Sequence, residues 1–161
     1  MSTSEFVYSR TAPPAEIPTL NWLFFLLSSE HYAILSPSVR EITRYRQVTP
    51  VPGAPAVLPG VINHRGQILP VVDLRVLIGL HEDDLTRAAR LVIVQHNDVD
   101  AALLVDAVFD LVTLPIGAIE PVPAGLDPAR GALLRGVAQH EDQTIALFEM
   151  DALITRLREY S

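Results

Sequence analysis

Apolar residues fall in short runs separated by clusters of Gly, Pro, Asn, Asp and Ser, and the runs have the length of strands rather than helices. Asn21 to Leu27 is one continuous run, and Ser28-Ser29-Glu30 turns the chain into a second strand over Tyr32 to Leu35. After Pro37, Val39, Ile42 and Tyr45 interleave with Arg40, Glu41, Arg44 and Arg46, which predicts a strand as far as Val48 with one wet face. Pro50, Pro52, Gly53 and Pro55 form a loop. The stretch that follows organises the chain. Val61-Ile62 and Ile68 to Val72 flank Asn63-His64-Arg65-Gly66, a hairpin with an arginine at its tip. Asp73 has the chemistry of a helix N-cap, Leu74, Leu77 and Ile78 recur at helical spacing behind it, and Gly79 is a stop.

The polar connector His81-Glu82-Asp83-Asp84 suggests a boundary between two halves near residues 81–88. Beyond it, Leu91 to Val94 and Ala101 to Val105 read as strands joined across Asn97-Asp98, and Asp106, Val108 and Val112 lie on another. A long irregular connection rich in Pro and Gly runs from Pro115 to Pro128. Leu133 to Ala138 and Ile145 to Phe148 form the last hairpin. Met150, Leu153, Ile154 and Leu157 then share one face of a terminal helix, with Asp151 near its start and Arg156 and Arg158 near its end, where the dipole favours cations.

Sliding the chain on itself aligns residues 59–78 with 135–154 without a gap. Gly60, Val61, His64, Gln67, Leu77 and Ile78 recur as Gly136, Val137, His140, Gln143, Leu153 and Ile154, six identities in 20 positions. A structural duplication explains this, against the alternative of two hairpins drawing on one small residue menu. Arg65 and Gly66 become Glu141 and Asp142, so the arginine is not demanded by the shared geometry.

With 161 residues and 49% hydrophobic content, the chain is sized for one domain, or two lobes sharing a core. Residues 1–19 carry Pro13, Pro14 and Pro18 among small and polar residues and read as a flexible tail. No cysteine is present, which removes disulfides, thiolate nucleophiles and Cys-based zinc sites. The start lacks a basic n-region, and the run Trp22 to Leu27 is far below the roughly 20 residues of a membrane span. The expectation is a soluble, cytoplasmic protein without membrane insertion. A net charge of −7 argues against a nucleic-acid partner.

An enzyme needs convergent chemistry, and the motifs for it are missing. The histidines 31, 64, 81, 96 and 140 include no i, i+2 or i, i+4 pair, so neither a metal site nor a cofactor is expected. There is no Gly-x-Ser-x-Gly elbow, phosphate loop or dinucleotide fingerprint. His81 among its acidic neighbours reads as a solvated linker or a weak cation site. Asp73 and Asp106 form either a carboxylate pair or, as strand-end residues, a cap and a turn. Binding without catalysis is the stronger class.

The hairpin region resembles the CheW family of chemosensory coupling proteins, whose signature is Gly-Val-Ile-Asn-Leu-Arg-Gly followed by Pro-Val-(Val/Ile)-Asp-Leu-Arg. Gly60, Val61, Ile62, Asn63, Arg65, Gly66 and Pro70 to Arg75 match in register, and His64 stands where the family has leucine. The resemblance covers about residues 20–158 and implies an all-β fold of two SH3-like five-stranded barrels sharing a hydrophobic core, with short helices after each half. It also implies an adaptor, associated with receptor arrays, between the cytoplasmic tip of a chemoreceptor and the regulatory domain of a CheA-type histidine kinase. Val39 and Glu41, matching the family's Val-x-Glu strand, and Arg65, matching its coupling arginine, become the expected receptor-binding residues. Gly60 and Gly66 are expected to shape the hairpin, and Asp73 to cap the helix. Two alternatives remain: an adaptor of a non-flagellar system controlling pili, surface behaviour or a second messenger, and a small-barrel nucleic-acid binder.

Overall fold

The computed structural model describes residues 17–160. The expected tail lies outside the described residues as far as residue 16, and a strand already begins at Thr19. Element order is β1 (Thr19–Leu27), β2 (Glu30–Leu35), β3 (Val39–Arg44), β4 (Gly60–His64), β5 (Gln67–Asp73), α1 (Leu74–Leu77), β6 (Arg90–His96), β7 (Val99–Val105), β8 (Ala107–Pro115), α2 (Pro128–Gly131), β9 (Leu134–His140), β10 (Gln143–Phe148) and α3 (Met150–Arg158). β3 stops at Arg44, four residues before the expected end, because the chain there leaves β6 and crosses to β4, which it meets at Thr49.

The strands form two five-stranded sheets, β9-β10-β2-β1-β8 and β3-β6-β7-β5-β4. The long apolar runs are central strands buried on both faces. In β1, Trp22 and Phe24 point into the first barrel with Val112, Leu114 and Ile145, while Leu23, Phe25 and Leu27 point into a core shared by both sheets. β6 does the same on the other side: Leu91 and Ile93 fill the second barrel, and Val92 and Val94 enter the shared core. Alternation by two explains why neither run shows a polar face. Helix α3 closes the shared core with Met150, Leu153, Ile154 and Leu157.

Each barrel closes at its ends by one extra pair of backbone hydrogen bonds. Thr49 and Val61 exchange N–H···O bonds of 2.9 Å in the second barrel, and Glu120 and Val137 exchange bonds of 2.7 and 2.9 Å in the first. Val61 and Val137 are partners in the internal alignment. So are Gly60 and Gly136, and a Cβ on either would overlap the carbonyl oxygen of the closing residue, Thr49 or Glu120. Close approach, not turn conformation, requires these glycines. Hairpin registers also agree, Gly60 opposite Val71 and Gly136 opposite Leu147.

The connector 81–88 separates two units of matching order, each a hairpin, a crossing strand, a second hairpin and a helix, with α2 added in the second. The barrels do not coincide with these halves. The first barrel takes β1 and β2 from the first unit and β8 to β10 from the second, and the second barrel takes β3 to β5 and β6 to β7. The chain crosses between sheets at Ser36–Ser38 and again at Asp106. No helix among the described residues is long and apolar enough to cross a membrane.

Candidate functional site

β3 and β4 are the two edges of the second sheet, and their side chains meet at one end of the barrel. The hairpin β4–β5 turns through Arg65 and Gly66 alone, both left-handed at φ 52° and 82°, as a type I′ turn requires. Asn63 Oδ1 braces the turn by accepting from Gly66 N at 3.0 Å. The geometry throws Arg65 back towards β3. Its Nε and Nη2 donate to the two carboxylate oxygens of Glu41 at 3.0 and 3.1 Å, a bidentate fork. His64 reaches the same carboxylate, Nε2 to Oε1 at 3.0 Å.

Arg46 lies on the histidine's other side. Its Nη2 donates to the Asn63 carbonyl at 2.8 Å and approaches His64 Nδ1 at 3.4 Å, and a guanidinium can only donate, an arrangement that matches a ring with Nε2–H turned to Glu41. The Arg65 hydrogen bonds hold the Glu41 carboxyl below the usual carboxylate range against a smaller opposing effect of desolvation, with His64 adding to the fall. Arg65 is in turn held more firmly protonated by Glu41. Burial is graded across the cluster: the His64 side chain is 11% exposed, Glu41 33% and Arg65 75%.

Glu41 and Arg65, forecast as one site, thus touch. Val39 does not join them. A bulge at Arg40 sets Val39 opposite Val94 and Glu41 opposite Ile93, so the two side chains leave β3 on opposite faces. Val39 packs on the shared core while Glu41 looks across the barrel end. Gly66 has open space around it and serves through its positive φ. Asp73 caps α1 as expected, accepting from Arg75 N at 3.0 Å.

Asp73 also belongs to a network that the motif contains but sequence reasoning left without a role. Arg75, 4% exposed, donates from Nε and Nη2 to Asp73 at 3.1 Å each, and from Nη1 to Asp106 Oδ1 at 3.1 Å and the Asp83 carbonyl at 2.8 Å. Asp106 Oδ2 accepts from Ser28 N at 2.7 Å, at the tip of the β1–β2 hairpin. Asp73 and Asp106 thus keep the cap and turn roles expected of them, and in addition they are two anions sharing one cation where the barrels join. His64 is the other residue of the cluster outside the expected set, and its recurrence as His140 is the signal in the sequence that points to it.

A CheW-like domain description matches residues 21–158. The chain is 29% identical over 143 residues to the chemotaxis protein CheW of Bacillus subtilis, covering 88% of this chain and 92% of that one. It is 33% identical to the chemotaxis protein CheW of Rhizobium meliloti (80% and 83% coverage) and 30% to protein PilI of Pseudomonas aeruginosa (80% and 72%). Among solved structures, the scaffolding protein TtCheW of Thermoanaerobacter tengcongensis superposes with a TM-score of 0.75 at 29% identity, covering 82% of this chain and 90% of that one.

Proposed function

The chain belongs to the CheW-like domain family, and on that premise we propose that it couples the cytoplasmic tip of a methyl-accepting chemoreceptor to the regulatory domain of a CheA-type histidine kinase. It is an adaptor, not an enzyme. Transmission between two partners needs two differently lined faces on one rigid body, so that a shift at one is felt at the other. The observation that supports this most directly is the pair of barrel ends. They sit on one shared core and occupy equivalent positions, yet one ends in Arg65-Gly66 and the other in Glu141-Asp142.

In this reading the second barrel meets the receptor through Glu41 and Arg65, and the first barrel meets the kinase. Arg65 is suited to the exchange because its ion pair with Glu41 lies at the surface, where water and salt screen such pairs and leave them weak. A partner carboxylate or carbonyl can replace Glu41 at little cost. Action would be in the cytoplasm, at receptor arrays, without nucleic acid or membrane insertion. The similarity to PilI, alongside the chemotaxis proteins, supports a second reading: the same adaptor role in a non-flagellar system.

Reconstitution of receptor, kinase and this protein tests the assignment. Arg65→Ala should fold and melt like the wild type but lose receptor-dependent kinase control. Glu41→Lys should weaken receptor binding and spare kinase binding. An Arg65→Ala protein that melts early while its folded fraction couples normally makes Arg65 a fold residue and overturns the site.

A further inference from the structure

The first barrel carries a copy of the Glu41–His64–Arg65 cluster in which the cation has become an anion. β8 has the same one-residue bulge as β3: Val108 lies opposite Phe25 and Asp110 opposite Phe24, as Val39 lies opposite Val94 and Glu41 opposite Ile93. Asp110 is therefore the counterpart of Glu41. His140 and Glu141, at the end of the β9–β10 hairpin, are the counterparts of His64 and Arg65. A carboxylate, an imidazole and a guanidinium balance one another in the second barrel. In the first, two carboxylates face one imidazole.

We propose that Asp110, His140 and Glu141 form a binding site for a divalent transition metal of the zinc class. One ligand atom from each of the three lies within 4.8 Å of the other two. Imidazole with carboxylate oxygens is a donor set for such ions, and Zn²⁺ takes these ligands at about 2.0–2.2 Å. His140 Nε2 stands 2.9 Å from Glu141 Oε2, closer than the roughly 3.3 Å between two ligands of a tetrahedral ion with those bond lengths. Glu141 supplies the adjustment, since its side chain is 79% exposed and free to swing.

The imidazole is the anchored member. Its ring stands edge-on at 88° to the fully buried Phe24, with centroids 5.3 Å apart, which braces the ring plane. Among the described residues, Asp110 accepts from Leu111 N alone, at 2.8 Å through Oδ1. Among the described residues, no arginine forms an ion pair with Asp110 or Glu141. The chain contains no lysine. Three protein donors leave a coordination position for water or for a donor from a docked partner. Histidine spacing hid this arrangement, because the third ligand comes from a different strand 30 residues upstream of His140.

Calorimetric titration of the full chain with Zn²⁺ tests the proposal. Wild type should bind one equivalent. His140→Ala should weaken binding at least about tenfold. Glu141→Arg, which rebuilds the second barrel's own cluster, should abolish saturable binding, and Glu141→Gln gives a neutral variant should that substitution disturb the hairpin. His64→Ala, in the other barrel, should bind as wild type does, and melting curves verify that each variant is folded. No saturable binding by wild type, or binding unchanged by both His140→Ala and Glu141→Gln, overturns the site. So does binding lost equally through His64→Ala.

Discussion

Arg75 and Arg65 each make a bidentate pair with a carboxylate at nearly the same distances, and burial and the number of partners separate them. Arg75 lies 4% exposed between Asp73 and Asp106, whereas the Arg65 side chain is 75% exposed beside Glu41. Burial works against the Arg75 charge, and the Asp73 hydrogen bonds with the charges of Asp73 and Asp106 more than offset it, so the guanidinium stays firmly protonated. Arg75→Met keeps the apolar stem and removes the charge. It leaves two carboxylates facing each other, the Asp83 carbonyl without its donor, and Asp106 without the cation that steadies its hold on Ser28. Removing one member of a buried ion pair costs about 3–5 kcal/mol. For a chain of this length each kcal/mol moves the melting temperature by about 2–4 °C, so the expected fall is about 6–20 °C. Arg65→Met, at the screened surface, should leave the melting temperature close to that of wild type. The assay is thermal unfolding of both variants at neutral pH followed by circular dichroism. If Arg75→Met melts within about 4 °C of wild type, or falls no further than Arg65→Met, the junction does not depend on this network.

The barrel-closing glycines give a second expectation: Gly60→Ala and Gly136→Ala should each cost about 1–3 kcal/mol by overpacking and speed amide exchange at the closing pair, Thr49–Val61 or Glu120–Val137. Gly66→Ala, with open space but φ +82°, should cost about 1–2 kcal/mol while leaving exchange at Thr49 and Val61 slow; equal exchange in all three variants would refute the distinction. Burial, followed by the 2.7 Å hydrogen bond to Glu30, pushes the Tyr32 hydroxyl well above the usual phenol range. A pKa raised by folding means that the stabilisation is complete below the ordinary phenol value of about 10 and drains away as pH rises beyond it. Phenolate absorbance from Tyr32, isolated by comparison with Tyr32→Phe, should therefore appear only together with loss of the folded circular dichroism signal, and ionisation ahead of unfolding would contradict its burial.

Much of this architecture is written locally. β1 and β6 are legible because a strand covered on both faces has no polar alternation, and Asn97-Asp98 and Arg65-Gly66 mark turns that need left-handed residues. The internal repeat is legible because both copies must seat a glycine against a closing carbonyl and a histidine at the hairpin end. Asp73 announces its cap by position. Tertiary structure decided the rest. Nothing in the run from Thr19 to Leu35 says that this hairpin pairs with β8 and β10 rather than with β3. The bulge at Arg40 is one inserted residue, and it turns Val39 and Glu41 to opposite faces although strict alternation puts them on one. Arg75 gains its second anion only when Asp106 arrives from the β7–β8 junction, and Asp110 has no relation to His140 until the sheet curls and brings its two edges together. Side-chain period and turn preference are set by a residue and its near neighbours. Which edges meet is set by burying the two barrel interiors and the shared core at once, and that free energy belongs to no single segment.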